Sequence, residues 1–240
     1  MKRRTSSLIV PAVLLFLAWL AYVGVRSARR TGVTPKQNPG TRRSSGARRL
    51  PRQTPGETNH PDGVPDVSCS AMGVTCASTY LSAWNWPQDD SCVLGLRNGY
   101  PVPDPRCTPG GVVPGVSAAS LRDPQWRTKC IRNCQSTEKQ KHVTYIWYGL
   151  ISPVANSGTN QVCELDHLVP LELGGADGLG NIWPQCGPDQ TVLRERYFKR
   201  KDQVENYLAA KVRSGQMTLG EAQRGIASDW TQYLDLSKGS

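Results

Sequence analysis

Asp166 and His167 stand next to each other in a stretch, residues 162–169, whose length and mixture of apolar and polar residues suit a β-strand. A carboxylate can hold a hard cation, and a neutral imidazole can take a proton from water near neutral pH, so together they could support hydrolysis. Neighbours on a regular strand point to opposite faces, and the two can serve one site only where the strand ends and twists. Pro170, three residues beyond the histidine, ends the strand at the right place. Asn181 follows His167 by 181 − 167 = 14 residues, across a loop containing Gly174, Gly175, Gly178 and Gly180. That loop lets a second strand, residues 181–185, come back against the first.

Helices must flank this strand pair. Val143, Ile146 and Trp147 have helical spacing within residues 136–148, closed by Gly149. Val192, Tyr197, Val204 and Leu208 predict one long helix or a broken pair that ends near Ser214-Gly215. Thr218 and Glu221 form a capping box that opens a last helix, in which Ala222, Ile226 and Tyr233 share a face.

The segment CELDHLVPLELGGADGLGNIWPQ resembles the ββα-metal, or HNH, nuclease motif: an Asp-His pair on the first strand, a Pro, a double Gly and an Asn on the second strand, followed by a helix. It is most similar to a group of exported bacterial HNH-like proteins, which PDPRCTPG, KDQVENYL and LGEAQRGIASDW also resemble, so the likeness extends in pieces over about residues 100 to 234. The resemblance implies an α+β fold with an HNH-like ββα-metal module, flanking helices and a disulfide-rich loop lobe. It implies a metal-dependent endonuclease of low sequence specificity acting on DNA, with RNA as the alternative substrate. His167 would be the general base, Asp166 would hold Mg2+ or Mn2+, with Zn2+ as the alternative, and Asn181 would clamp the loop and fix the His ring.

The third position departs from that pattern. A helix ligand nine residues after Asn181 would fall on Gln190, whereas an insertion over residues 187–200 would shift the ligand to Asp202 or Glu205. Asp202 is the choice, since an anionic oxygen suits a hard cation better than an amide. Arg196, Lys199, Arg200 and Lys201, with Arg194, form a basic run offset by Glu195 and are candidate contacts to a phosphate backbone. A second candidate surface lies between Arg97 and Lys141, where eight basic residues face three acids. Two rivals remain open: a catalytically silent module of the same fold that binds DNA or a wall polymer, and a cysteine-bonded scaffold with no nucleic-acid partner. Nothing points to a protein partner.

The eight cysteines, with no C-x-x-C pair, read as disulfides in an oxidising compartment. Pairing Leu168 with Ile182 would set Cys163 opposite Gly187, next to Cys186, which makes a cross-strand disulfide plausible. The related group carries a Cys where Arg213 stands, which leaves Cys130 with Cys134 or a residue of the first lobe. Trp84 and Trp86, between the early cysteines, serve either as a ligand platform or as packing beneath cross-linked loops.

The formal charge of +10 excludes less than its size suggests. Residues 1 to 60 hold 12 basic residues and one acid, 12 − 1 = +11; residues 61 to 240 hold 17 and 18, 17 − 18 = −1. A uniformly basic nucleic-acid coat is thereby excluded for the body of the chain. Leu8 to Val25 is uncharged and long enough for a signal anchor, residues 26–60 read as a basic disordered linker, 61–109 as a Cys-rich loop lobe and 110–236 as the nuclease-like domain. The flanking arginines would keep the body in the cytoplasm by the positive-inside rule, but the cysteines oppose this. The expectation is a membrane-anchored chain with its body outside, or a secreted one if the N-terminal segment is cleaved.

Overall fold

Three short antiparallel ladders and five helices build the described part of the chain, an α+β architecture held by disulfides. The computed structural model describes residues 73–188 and 191–239. The expected anchor (1–25), the linker (26–60) and Gln190 lie outside the described residues. Among the described residues no helix is long and apolar enough to cross a membrane.

β1 (Thr79–Tyr80) pairs with β4 (Gly111–Val112), and β2 (Gly95–Arg97) forms a hairpin with β3 (Tyr100–Val102). The turn of that hairpin is Asn98-Gly99, both at positive φ, the conformation that a tight two-residue turn demands. α1 (Ala118–Arg122) follows, then α2 (Glu138–Lys141) and α3 (Val143–Trp147). The single helix expected over 136–148 is thus broken at His142. The Thr144 hydroxyl donates to the Lys141 carbonyl at 2.9 Å, a local bond that competes with the helical ladder.

β5 (Cys163–His167) and β6 (Ile182–Cys186) form the hairpin that carries the Asp-His pair. Its register sets His167, rather than Leu168, opposite Ile182, so Cys163 faces Cys186 directly and the two are bonded. The expected register is thus off by one residue, and the bond from the Leu168 N–H to the Asn181 carbonyl continues the observed one by a further pair. Cys76 bonds Cys134 and Cys92 bonds Cys107. Cys134 is therefore not the partner of Cys130, which is itself disulfide-bonded.

α4 (Tyr197–Arg213) and α5 (Leu219–Asp229) close the fold. Val204, Leu208 and Val212 of α4 and Ala222 and Ile226 of α5 bury their apolar stripes against Leu171, Leu173 and Trp230. The capping box at Thr218 and Glu221 is present. A second core cluster contains Trp147, Leu168, Leu179 and Trp183. Trp84 and Trp86 pack on it, the latter edge-on to Trp147 at 5.0 Å between centroids, so they are packing residues. Contacts cross the expected border at 109/110: β1 pairs across it, Trp230 donates to the Pro101 carbonyl, and the described residues belong to one compact unit.

Candidate functional site

The strand pleat separates the two adjacent side chains. Asp166 points to α4: its Oδ2 accepts from Trp183 Nε1 and lies 2.9 Å from the Lys201 ammonium. Lys201 is fully buried, because it falls on the same helical stripe as Val204 and Leu208. Its ammonium has three donors and three acceptors: Asp166 Oδ2 at 2.9 Å, the His167 carbonyl at 2.8 Å and Glu205 Oε1 at 2.5 Å. Burial works against the ammonium, but Asp166 and Glu205 outweigh it and hold Lys201 above the ordinary lysine range. The same burial pushes Glu205 well up, with Lys201 opposing.

His167 points the other way, into the glycine loop. Its Nε2 lies 2.7 Å from Asp177 Oδ1, and the same oxygen is 3.0 Å from the ammonium of Lys141. Lys141 in turn donates to Glu138 and Asn133. Asp177 is buried and its Oδ2 has no hydrogen-bond partner among the described residues. The other ring nitrogen, Nδ1, makes no hydrogen bond among the described residues, and the residue retains 8% exposure.

Asn181 joins the two sides. Its Oδ1 accepts from Gly111 N and Val169 N at 3.1 and 2.9 Å, and its Nδ2 donates to the carbonyls of Val169 and Ala176 at 2.9 and 2.8 Å. It clamps the loop, but the His ring is held by Asp177 rather than by Asn181. Gly175 is needed for the same closure: a Cβ there would lie 1.8 Å from the Val169 carbonyl oxygen.

No family model, curated protein or solved structure matches this chain.

The basic run is corrected in two places. Arg196 is buried, its guanidinium donating to the carbonyls of Gln161, Thr159 and Thr191, and Lys201 is buried as described, so neither offers its charge to a surface ligand. Lys199 and Arg200 stay partly exposed, paired with Asp202 and Glu195. Asp202 meets Lys199 at 2.7 Å. The metal implied by the resemblance does not fit the residues so placed. An ammonium already neutralises Asp166, and among the described residues no three His, Cys, Asp or Glu converge to hold an ion.

Sequence reasoning missed Asp177, Glu205 as the partner of a buried lysine, and Glu164. For Lys201 a signal existed: its spacing of three and seven from Val204 and Leu208 puts it on the apolar stripe, with Glu205 one turn on. Asp177 carried only its place inside the glycine loop.

Glu164 shares the Asp166 face of β5. Burial, then Asp166 and Asp202, push its carboxyl up to about 7 from 4.5, against Lys199 and Lys201. The folded chain then binds more protons than the unfolded chain between those values, so this group makes stability fall as pH rises from 4.5 to about 7, and the loss persists above. Glu164→Gln should be more stable than the wild type above that window, by on the order of 2 kcal/mol, and equal to it below. Urea unfolding of both proteins on either side of the window checks this; a pH-independent difference would refute it.

Proposed function

We propose that this chain is an HNH-like endonuclease that hydrolyses phosphodiester bonds of DNA with low sequence specificity. The observation that carries the proposal is the buried Asp177 carboxylate 2.7 Å from His167 Nε2. With Nε2–H donated to Asp177, the imidazole is fixed in the tautomer whose Nδ1 lone pair can accept a proton from an attacking water. The Lys141 ammonium offsets the Asp177 charge, so the carboxylate orients the ring without standing as an isolated buried anion. Lys199 and Arg200 would contact phosphates, a sequence-independent interaction that suits low specificity.

A second reading, a catalytically silent module that binds DNA or a cell-envelope polymer, is favoured by the ion pair that occupies Asp166. Supercoiled plasmid incubated with the oxidised full-length chain, with EDTA and with Mg2+ or Mn2+, separates the two. The nuclease reading expects nicking that falls at least about 100-fold in His167→Ala and in Asp177→Asn, with DNA binding retained. Gel retardation of the plasmid without nicking would select the silent module, and neither binding nor nicking would leave the disulfide-bonded scaffold.

A further inference from the structure

We infer that the Lys201 ammonium is the resident cation of the seat that HNH-like chemistry would give to a divalent metal, and that Asp166 is its counter-ion rather than a metal ligand. This deepens the nuclease reading and rests on it for the identity of the seat. The ammonium stands among three oxygens from two elements: Asp166 and the His167 carbonyl of β5, and Glu205 of α4. Oxygens from a carboxylate pair and a carbonyl are the donors that a hard cation selects. Here they are saturated by a lysine whose three N–H groups match them one for one.

The lysine is not a loose substitute. Its Cα belongs to the buried stripe of α4, after Phe198, with Val204 and Leu208 fully buried on the following turns. To leave the seat, its ammonium would have to abandon two carboxylates without charge compensation. Trp183 Nε1, 2.9 Å from Asp166 Oδ2, gives that oxygen a second donor and leaves it less free to serve an added ion. The arrangement also supplies what a metal would supply structurally, tying β5 to α4. A fixed ammonium cannot exchange a ligand for water, so the device holds the fold without offering an open coordination position.

The test is Mn2+ binding by the oxidised full-length chain, prepared in EDTA and then exchanged, followed by electron paramagnetic resonance of free Mn2+ and by thermal unfolding. No DNA is present, so a failure of the nuclease reading leaves this result unaffected. The wild type and Asp166→Asn should bind Mn2+ equally, and neither should gain melting temperature from it. Lys201→Ala should acquire a site at least 10-fold tighter than any in the wild type and should melt higher with Mn2+ than with EDTA. A wild-type site that disappears in Asp166→Asn would overturn the inference, as would a folded Lys201→Ala with no new site. Should Lys201→Ala be unfolded in EDTA, folding on addition of Mn2+ supports the inference. If it stays unfolded, Glu205→Gln replaces it as the second variant, with Mn2+ binding equal to that of the wild type expected and loss of a wild-type site overturning the inference.

Discussion

Asn181→Ala should unfold the chain or bring it close to unfolding. The side chain makes four hydrogen bonds in a fully buried setting, to Gly111 N, Val169 N, Val169 O and Ala176 O. Alanine leaves all four backbone groups without partners and without room for the chain to recover them. Each buried unsatisfied group costs about 1–3 kcal/mol, so the sum is on the order of 4 kcal/mol or more, set against total stabilities of about 5–15 kcal/mol for natural domains. Asn181→Asp should fail as well. It keeps the two acceptor bonds but turns a donor into a carboxylate oxygen facing the carbonyls of Val169 and Ala176, 2.9 and 2.8 Å away. Equilibrium denaturation of the oxidised protein checks both variants, and a loss below about 1 kcal/mol for Asn181→Ala would remove the clamp from the account.

Gly175→Ala carries a comparable expectation for a steric reason. The added methyl would sit 1.8 Å from the Val169 carbonyl oxygen, 2.6 Å from its carbon and 2.8 Å from the Pro170 carbonyl oxygen, all of them backbone. Those atoms cannot yield separately. Gly175 N donates to Pro170 O and Ala176 N to Gly111 O, so moving one strand of the loop breaks bonds on the next. A loss of about 3 kcal/mol or more is expected, at the upper end for overpacking a rigid site. Gly158→Ala is the control. Nothing lies within 4 Å of its Cβ position, so only the strain of φ +56° remains, about 1 kcal/mol. Equal destabilisation of the two variants in the same denaturation experiment would count against the steric account. Because Gly175 lies beside the segment that presents Asp177, a partly folded Gly175→Ala should also lose any activity that depends on the Asp177–His167 contact.

The comparison of Asn181 with Lys201 shows what kind of information a single sequence holds. Asn181 sits at a turn where the glycines and the strand lengths leave one place for it, and its bonds reach only residues within 12 positions plus Gly111. Its position across the glycine loop was therefore readable from spacing, and its role as the loop clamp was implied by the family resemblance. Thr218 with Glu221 and the Cys163–Cys186 bond were readable for the same reason, since each is set by local geometry or by one hairpin. The register of that hairpin was off by one residue: Leu168 pairs with Asn181, in line with His167 opposite Ile182.

The strand–glycine loop–strand–helix order was determined by the sequence alone, through periodicity, turn residues and short-range spacing, whereas the α+β class and the roles of Asp166, His167 and Asn181 were implied by the family resemblance. Only the tertiary structure decided which charges are buried and what faces them. Arg196 and Lys201 belong to one run of cations that reads as surface, yet both are inside, while Arg194 is exposed and Lys199 and Arg200 are partly so. The reason is that burial depends on the rotation of α4 against a strand about 35 residues away, where Asp166 waits for Lys201, and on residues such as Asp177 brought back by a glycine loop. A charge in a sequence carries no mark of its distant partner. The partner in turn decides whether the charge is solvated, binds a ligand or holds the fold.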